Sequence, residues 1–529
     1  MTNSSKNVFI NGQWRAASHS AVFSPSNPNL GQPIALEFPI SDWSDCDEAL
    51  TAATNAFIQL RQTTPESIAL FLESYASLIE ADKDGLVEIA HQESGLPKSP
   101  RLADVEMPRT INQLKLAASA ARQQSWAIPT IDSKANIRSC YQAIGPVCVF
   151  GPNNFPFAFN SIAGGDFAAA IAAGNPVIAK ANSSHPATTM RFAGLAEKAA
   201  CATNMPRGLM QLIYRTTHAD GERLVADARL AAIGYTGSRS AGLQLKAVAD
   251  RVGKPFYAEL SSVNPIVFLP GAFRERLDKL IDEYVASGLM ATGQFCTNPG
   301  MLLMIDNADT AKFIEGVTAK YQASNIGTLL SRSVETSLVK SISILKDAGA
   351  ELLSGGNKVE GSRCAVANTV LRISGKQLLE APHVFQTEAF GNAVLMVICS
   401  DVRELAQAIE QLEGNLTGSI YSDSQGSDDA DYALIAASLT QRVGRFLNDK
   451  MPTGVAVSPA MNHGGPFPAT GHPGFTAVGF PASMIRFAKL TCFDNVRESR
   501  MPTVLQNANP SGAWRLVDAS WTKGSLPLA

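Results

Sequence analysis

The 529-residue sequence has no large excess of charge of either sign and no long apolar run. Its net charge of -3 at pH 7 predicts neither a nucleic-acid footprint nor a polybasic patch for a membrane surface. No uninterrupted apolar run approaches the roughly 18 residues that a spanning helix requires. Residues 1–7 lack the apolar segment of a secretory signal. We therefore expect a cytoplasmic protein with neither nucleic-acid nor membrane partners.

Close metal-ligand spacings are also missing. The 8 cysteines and 7 histidines are dispersed, without a CxxC or an HxxxH pair. This pattern argues against a disulfide framework and against a zinc site, so we expect no metal. Hydrophobic residues make up 45% of the chain and charged residues 17%, which is typical of globular proteins with large buried cores. The length predicts two or three domains.

The chain from Ala143 to about Pro270 alternates apolar strands with helices. Val147-Cys148-Val149-Phe150 is a strand-type run, and residues 159–173 are predicted to be helical, with Gly174 as the C-terminal cap. Strands separated by helices of this length imply right-handed crossovers and a parallel sheet, an α/β architecture that often binds nucleotides. However, no GxGxxG fingerprint follows a strand, which weakens an ordinary dinucleotide-binding interpretation.

A second α/β series begins near residue 273 and continues to about residue 441. Residues 452–480 are dense in glycine and proline, and they carry Phe467 and Phe475, which favours an ordered lid. The last 30 residues are polar. We expect them to be extended and to wrap a neighbour or a surface.

Cys296 and Glu259 are the strongest candidates for chemistry. Cys296 lies in a tight loop, Gly-Gln-Phe-Cys-Thr-Asn-Pro-Gly, and Glu259 closes an apolar strand. A thiol and an isolated carboxylate are the two groups needed to form and then hydrolyse a thioester. The alternative is that Cys296 is inert packing, because free cysteine is among the most buried residue types.

Asn153 and Asn154 follow the first apolar strand, between one proline and a Phe-Pro pair. An amide held rigidly there is the kind of preorganised donor that an oxyanion needs. Ordinary Asx turns explain both asparagines equally well.

Three further motifs suggest a dinucleotide. Gly237 and Ser238 end a strand and open a helix, where free N–H groups and a hydroxyl can hold a phosphate. Ser238 can equally be a plain N-cap. Glu388 and Phe390 precede an apolar strand, where the acid can bond ribose and the phenyl ring can flank a flat ring. A solvated carboxylate and a core phenylalanine are the alternative. Lys180 ends a buried strand and either bonds ribose or extends to water.

The order of these motifs, from about Phe9 to about Cys492, resembles that of the aldehyde dehydrogenases. Three segments are similar to one branch, the α-ketoglutarate-semialdehyde (2,5-dioxopentanoate) dehydrogenases and related NADP-dependent fatty aldehyde dehydrogenases. These segments are Glu259-Leu260-Ser261-Ser262-Val263-Asn264-Pro265, Phe295-Cys296-Thr297-Asn298-Pro299-Gly300 and His463-Gly464-Gly465-Pro466-Phe467-Pro468-Ala469-Thr470.

The resemblance implies an α/β fold with two Rossmann-type parallel domains and a small β element for oligomerisation. It implies a dinucleotide-binding domain at 1–122 and 145–261 and a catalytic domain at 262–480. The oligomerisation strands would lie within 123–144 and 481–500, followed by a C-terminal tail at 501–529. A homodimer or homotetramer is expected.

The resemblance also implies a mechanism. The Cys296 thiolate attacks an aldehyde, and the oxyanion is held by the Asn154 amide and the Cys296 N–H. Hydride passes to a nicotinamide, and Glu259 activates the water that releases the acid. The favoured reaction is oxidation of 2,5-dioxopentanoate to 2-oxoglutarate. The alternatives are a medium- or long-chain aliphatic aldehyde, an acylating dehydrogenase that uses coenzyme A, and a non-enzymatic binding protein.

Cofactor and substrate preferences rest on a few positions. Ser183 stands where NAD-preferring relatives often carry a glutamate, which favours NADP with tolerance of NAD. Arg109 is a candidate anchor for a distal carboxylate, with a surface salt bridge as the alternative. Phe155 and Phe467 are further substrate candidates. Asn392 replaces a proline that relatives usually have, and the resemblance places it near the substrate entrance.

Overall fold

The computed structural model describes residues 7–526. The outermost parts of the predicted first domain and of the predicted tail, residues 1–6 and 527–529, lie outside the described residues. The strands of the first half are β1 (Asn7–Ile10), β2 (Gln13–Ala16), β3 (Val22–Phe23), β4 (Ser26–Asn27), β5 (Gln32–Pro33), β6 (Phe38–Pro39), β7 (Thr130–Asp132), β8 (Ile137–Ala143), β9 (Val147–Phe150), β10 (Val177–Lys180), β11 (Met210–Ile213), β12 (Ala232–Thr236) and β13 (Phe256–Glu259). The helices of this half are α1 (Trp43–Leu60), α2 (Pro65–Ala81), α3 (Lys83–Ser94), α4 (Met107–Gln123), α5 (Gly165–Ala172), α6 (Pro186–Ala202), α7 (His218–Ala226) and α8 (Arg239–Arg251).

The second half contains the remaining strands and α-helices of the described chain. Its strands are β14 (Pro265–Phe268), β15 (Met301–Ile305), β16 (Glu351–Ser354), β17 (Thr369–Ser374), β18 (Ala393–Cys399), β19 (Asn415–Tyr421), β20 (Val443–Asn448), β21 (Ala488–Asp494), β22 (Arg515–Val517) and β23 (Ser520–Thr522). Its helices are α9 (Pro270–Gly288), α10 (Ala308–Ala323), α11 (Arg332–Asp347), α12 (Gly375–Glu380), α13 (Pro382–Phe385), α14 (Val402–Glu410) and α15 (Asp429–Leu439).

The first sheet has the strand order β13-β12-β9-β10-β11-β1-β2. Its first five strands are parallel, and the β1–β2 hairpin adds two antiparallel strands at one edge. Helices α1 to α8 cover it, and their apolar faces join one large buried cluster with the strands. Because parallel strands are buried on both faces, they read as continuous apolar runs such as Val147-Cys148-Val149.

The second sheet has the order β16-β17-β18-β15-β14-β19-β20. Only β16, at one edge, pairs antiparallel; the other strands are parallel. Separate apolar clusters fill the two faces of this sheet. The α/β fold with two parallel sheets is therefore confirmed. The domain boundaries stay predictions.

A third sheet, with the order β21-β8-β7-β22-β23, contains the two predicted oligomerisation segments. Strand β8 pairs with β21 along seven residues, from Ile137 opposite Asp494 to Ala143 opposite Ala488. The described part of the tail is extended where it forms two strands, in line with the expectation. Strand β22 pairs with β7 of the same chain, and buried Arg515 braces the tail internally by donating to the carbonyls of Asn507 and Gly524.

The predicted helix at 159–173 is wrong at its start, because α5 begins at Gly165. The preceding residues form turns instead, since the buried Glu106 carboxylate accepts from the backbone N–H groups of Phe157 and Ala158. Gly174 follows the helix with φ of +93°, in agreement with the predicted cap.

Residues 452–480 contain no helix or strand, but part of the segment is ordered by packing, with Phe475, Ala477 and Val478 buried. Asn392 does not lie at a substrate entrance. It is fully buried, and its amide donates to the Val366 carbonyl and to Asn368 Oδ1. Among the described residues, no helix is long and apolar enough to cross a membrane. The cytoplasmic location stays a prediction.

Candidate active site

The candidate site lies between the carboxyl edge of the first sheet and the amino edge of the second. Strands β9, β12 and β13 end there, and the loop before β15 approaches from the other side. Residues 260–264 cross directly from β13 to β14, so both sheets contribute to one cleft. The cleft has a volume of about 560 Å³, and Asn154, Glu259 and Cys296 all line it.

The Cys296 loop is fixed by backbone geometry. Ala291, Thr292 and Gly293 have consecutive positive φ angles of 47°, 59° and 68°. Gly293 is required, because a Cβ atom there would lie 2.1 Å from the Gly391 carbonyl oxygen. After the turn, the Cys296 carbonyl accepts a 2.9 Å hydrogen bond from Asn264 Nδ2. The half-buried thiol is thereby directed into the cleft rather than into the core.

Glu259 and Cys296 meet through a third residue, His463. The Nε2 atom of His463 lies 3.3 Å from Cys296 Sγ and 3.1 Å from Glu259 Oε1. Glu259 and His463 are both 1% exposed. The second carboxylate oxygen of Glu259, Oε2, is buried without a hydrogen-bond partner in the described structure. Glu259 therefore keeps one acceptor atom free beside the cleft.

Charged groups around Cys296 have opposite effects on the pKa of its thiol. Burial, followed by the charge of Glu259, raises the pKa of the Cys296 thiol well above its ordinary value. The positive charges of Arg109 and Arg445 act in the opposite direction. The thiol therefore needs a neighbouring base to become a nucleophile at neutral pH.

Asn154 faces the same cleft and is 5% exposed. Its side-chain Nδ2 atom donates to the backbone carbonyl of Gln294 at 3.1 Å. The backbone carbonyl of Asn154 accepts from Arg101 Nη2 at 2.9 Å. An amide NH₂ group has two protons, so one remains for an oxyanion. Arg101 is itself paired at 2.5 Å with the buried Glu106. This ion pair holds the asparagine turn against α4.

Aromatic rings form one wall of the site. Phe155 contacts Phe159 and Phe295 edge-on, with ring centroids 5.3 and 5.4 Å away. Phe475 belongs to the same buried cluster, and Cys296 packs against it. Phe155 therefore packs beside the thiol loop, and its role as a substrate residue stays a prediction.

Arg109 does not form the surface salt bridge that was its alternative. Its guanidinium carbon lies 5.0 Å from the Phe159 ring centroid and 5.5 Å from that of Phe155. The Nε and Nη2 atoms are buried and have no hydrogen-bond partner among the described residues. Burial lowers the pKa of Arg109. An unpaired buried guanidinium is a strong candidate for binding an anion.

A second arginine, Arg445 on β20, was not found from the sequence. Two of its nitrogens donate to the carbonyls of Pro452 and Gly454, and its Nε atom is buried without a partner in the described structure. No carboxylate pairs with it among the described residues. Burial lowers its pKa to about 10, and the nearby Cys296 opposes this shift.

A second cleft, of about 580 Å³, lies over the ends of β10, β11 and β12. It continues from the first cleft, because both are lined by the same five residues, Pro152, Asn153, Thr236, Gly237 and Ser238. Lys180 and Ser183 line the second cleft, whereas Glu388 and Phe390 line the first. All six predicted cofactor residues therefore lie along one continuous groove.

The N-cap alternative for Ser238 finds little support. Ser238 precedes α8, but its side chain makes no capping hydrogen bond. Its hydroxyl and the first N–H groups of α8 therefore stay available to an anion. Glu388 also lines the groove. It accepts weakly from the Ser262 N–H, at 3.4 Å, and burial raises its pKa to about 8.

Two cationic side chains, Lys180 and Arg215, line the second cleft, at the end of the groove away from Cys296. Burial lowers the pKa of Lys180 to about 8, and the nearby Arg215 lowers it further against the opposing effect of Cys148. Arg215 is exposed and lines the same cleft, together with Asn182 and Ser183. Neither cation has a carboxylate partner among the described residues. No local sequence pattern singled out Arg215.

Phe467 is not brought to the site. Its side chain is 60% exposed, and its carbonyl accepts from the Gly414 N–H. It lines neither cleft. Phe155 and Arg109 line neither cleft either, so the role of all three as substrate residues stays a prediction.

The comparisons with known proteins agree with this geometry. Residues 14–441 match the aldehyde dehydrogenase family. The chain is 37% identical to alpha-ketoglutaric semialdehyde dehydrogenase 2 of Azospirillum brasilense over 507 residues, covering 93% of this chain and 95% of that protein. It is 34% identical to alpha-ketoglutaric semialdehyde dehydrogenase of Acinetobacter baylyi over 535 residues, covering 99% and 100%.

A solved structure shares the fold. It is a mutant of aldehyde dehydrogenase C from Pseudomonas syringae in complex with NAD+ and octanal, with a TM-score of 0.80 and 18% identity. The match covers 93% of this chain and 97% of that one. The chain thus belongs to the aldehyde dehydrogenase family. The predicted class, an NAD(P)-dependent aldehyde dehydrogenase, is confirmed.

Proposed function

We propose that this enzyme oxidises 2,5-dioxopentanoate to 2-oxoglutarate, with Cys296 as nucleophile. The observation that carries the choice of substrate is the pair of arginines, Arg109 and Arg445, whose unpaired nitrogens lie buried near Cys296. An aldehyde that carries a 2-oxo carboxylate at its far end supplies the missing anion. The names of the two relatives described above support the same substrate.

The chain's own residues account for each step of the reaction. His463 Nε2 accepts the Cys296 thiol proton, and the thiolate adds to the aldehyde carbon. The free N–H of Asn154 and the Cys296 backbone N–H stabilise the oxyanion. A nicotinamide cofactor held in the groove would take up the hydride that leaves the substrate carbon, and an acyl-thioester would then remain on Cys296. Glu259 then takes a proton from water, which attacks the thioester and releases the acid.

Glu259 also argues against transfer of the acyl group to coenzyme A. Its Oε2 atom is buried beside the cleft with an unused acceptor. A carboxylate in this position favours hydrolysis of the thioester.

The aromatic wall formed by Phe155, Phe159, Phe295 and Phe475 favours a second candidate substrate, an aliphatic aldehyde. Such a substrate leaves both arginines without an anion, so it gains no binding energy from them.

We further propose NADP as the preferred cofactor, with NAD tolerated. The groove offers Lys180 and Arg215 near a position that carries Ser183 rather than a carboxylate. A 2′-phosphate gains two cations there and meets no repulsion. The test is the ratio of kcat/KM for NADP to that for NAD. Ser183→Glu should reverse the ratio in favour of NAD, and a wild-type enzyme that strongly prefers NAD would refute the preference.

For assembly, we propose a homodimer or homotetramer built on the third sheet. Strand β21 is an edge strand of that sheet, and it carries Leu490, which is 60% exposed. Edge strands with exposed apolar side chains are ready to pair with another chain. Light scattering should give two or four times the 56.1 kDa of the chain. A monomer at micromolar concentration would contradict this proposal.

The experiment for the main proposal is a product assay. Purified enzyme, 2,5-dioxopentanoate and NADP should yield equal amounts of 2-oxoglutarate and reduced cofactor without coenzyme A. The exposed Cys201 provides a matched control, because Cys296→Ser should abolish the products whereas Cys201→Ser should leave them unchanged. An active Cys296→Ser enzyme, or a strict requirement for coenzyme A, would refute the proposal.

A further inference from the structure

A compact set of metal-ligand atoms lies in the candidate site, although the sequence spacing predicts none. Glu259, Cys296 and His463 each offer one ligand atom, and these atoms all lie within 4.8 Å of one another. We propose that these three residues form a zinc site, and that zinc bound there inhibits the enzyme reversibly. The binding itself rests on the geometry alone, while the inhibition rests on the proposed function.

Two of the three distances between the ligand atoms are close to those of a zinc site, and the third is at most 4.8 Å. Zn–S bonds of about 2.3 Å and Zn–N or Zn–O bonds of about 2.0–2.2 Å place neighbouring ligand atoms roughly 3.3–3.6 Å apart in a tetrahedron. His463 Nε2 lies 3.3 Å from Cys296 Sγ and 3.1 Å from Glu259 Oε1. Small side-chain shifts therefore suffice to surround an ion. The chemistry of the donors is equally selective, because thiolate, imidazole and carboxylate together favour zinc over magnesium or calcium, which prefer oxygen ligands.

The cluster is also incompletely satisfied in itself. The single Nε2 atom of His463 has one proton or one lone pair to offer, yet it lies within hydrogen-bond distance of two partners. Glu259 Oε2 is buried and has no partner in the described structure. A single proton on Nε2 can be shared with only one of the two neighbours of His463. A divalent cation can bind the sulfur, the nitrogen and the carboxylate at the same time, and so it satisfies all three groups.

The cleft explains how zinc reaches the site and why its binding stops the reaction. Cys296 and Glu259 both line it, so an ion can enter from solvent and keep a water molecule as fourth ligand. On binding, the Cys296 S–H bond breaks, its proton passes to solvent, and an S–Zn bond forms. The proposed nucleophile and the proposed base are then both occupied. Removal of the ion restores both, because the Cys296 thiolate takes a proton back from solvent and no other covalent bond of the protein has changed.

Calorimetry with zinc on chelator-stripped enzyme tests the proposal. Wild type should bind one ion per chain. Cys296→Ser and His463→Gln should each weaken binding by more than the roughly 10–100-fold that loss of an outer-shell partner costs. Cys201→Ser, which alters an exposed cysteine remote from the cluster, should bind as wild type does. Cobalt in place of zinc should show a sulfur-to-metal charge-transfer band that Cys296→Ser removes.

Activity supplies a second measurement. Stoichiometric zinc should abolish turnover, and a chelator should restore all of it, in wild type and in Cys201→Ser alike. The proposal is overturned if wild type binds no zinc at one per chain, or if Cys296→Ser binds it unchanged. An enzyme that is active but does not bind zinc would overturn the metal site and leave the proposed function standing.

Discussion

The Sγ atom of Cys296 lies 3.3 Å from Nε2 of His463, although 167 residues separate them in the sequence. The same nitrogen lies 3.1 Å from Glu259 Oε1. One imidazole therefore bridges the proposed nucleophile and the proposed base. Burial and the charge of Glu259 raise the pKa of the Cys296 thiol, and this imidazole lies within hydrogen-bond distance of Sγ, so we expect it to accept the thiol proton.

Replacement of His463 should slow attack on the aldehyde. A general base typically contributes about 10²–10⁴-fold, so His463→Gln should lower kcat by roughly that factor. The rate at which iodoacetamide alkylates Cys296 at pH 7 should fall as well, because less thiolate forms. Alkylation at the wild-type rate would show that His463 only packs against Phe159. Thermal unfolding provides the control for folding.

Replacement of Glu259 should separate the two halves of the reaction. Glu259→Gln removes the charge that helps raise the pKa of Cys296, so alkylation of the thiol at neutral pH should become faster. Hydrolysis of the thioester should nearly stop. Rapid mixing should therefore show a burst of one reduced cofactor per chain, followed by very slow turnover. If Glu259→Gln showed no burst of reduced cofactor, Glu259 would also be needed before hydrolysis, which would contradict this account.

Replacement of Asn154 should affect the oxyanion and little else. The loss of one oxyanion donor typically costs about 10²–10³-fold in kcat. Asn154→Ala should show that loss with an unchanged KM for the cofactor. It also removes one hydrogen bond to the Gln294 carbonyl, so a small fall in the unfolding temperature is expected. Activity within a few-fold of wild type would exclude Asn154 as an oxyanion donor.

Much of the fold was predictable because its signals are local. The apolar runs that end at Phe150, Lys180, Thr236 and Glu259 are parallel strands buried on both faces, and their ends meet at one sheet edge. Cys296, in its glycine-bounded loop, was predictable for the same reason. The start of α5 was not, because Glu106 holds the preceding turns from a distant part of the chain.

The partners of the site residues were not predictable from local pattern. His463 lies in a segment without helix or strand, 204 residues from Glu259, and the family resemblance of that segment did not assign the histidine a role. Arg445 lies in an edge strand, where an arginine is ordinary, and only the packing of β20 beside the cleft makes it notable. Such contacts depend on how the two sheets meet.

Binding of NADP should depend on pH through Lys180, whose pKa burial lowers to about 8. Below pH 8 the side chain is charged and attracts the 2′-phosphate, whereas above pH 8 it becomes neutral. The Kd for NADP should therefore rise by up to about tenfold per pH unit above pH 8, while that for NAD stays nearly flat. Fluorescence titrations at several pH values measure both constants. Lys180→Met should remove the difference in slope, and a slope equal for both cofactors in wild type would contradict this role.

The arginine pair carries the proposal about the substrate, and its test compares two aldehydes of equal length. The measurement is kcat/KM for 2,5-dioxopentanoate relative to that for pentanal, in wild type, Arg109→Met and Arg445→Met. An exposed arginine, Arg251, provides the control variant Arg251→Met.

Hydrogen bonds to charged groups contribute about 1.5–3 kcal/mol, so each arginine variant should lower this ratio roughly 10–100-fold. Wild type and Arg251→Met should prefer 2,5-dioxopentanoate strongly and equally. A wild-type enzyme that prefers pentanal, or a ratio that neither Arg109→Met nor Arg445→Met changes, would contradict the account.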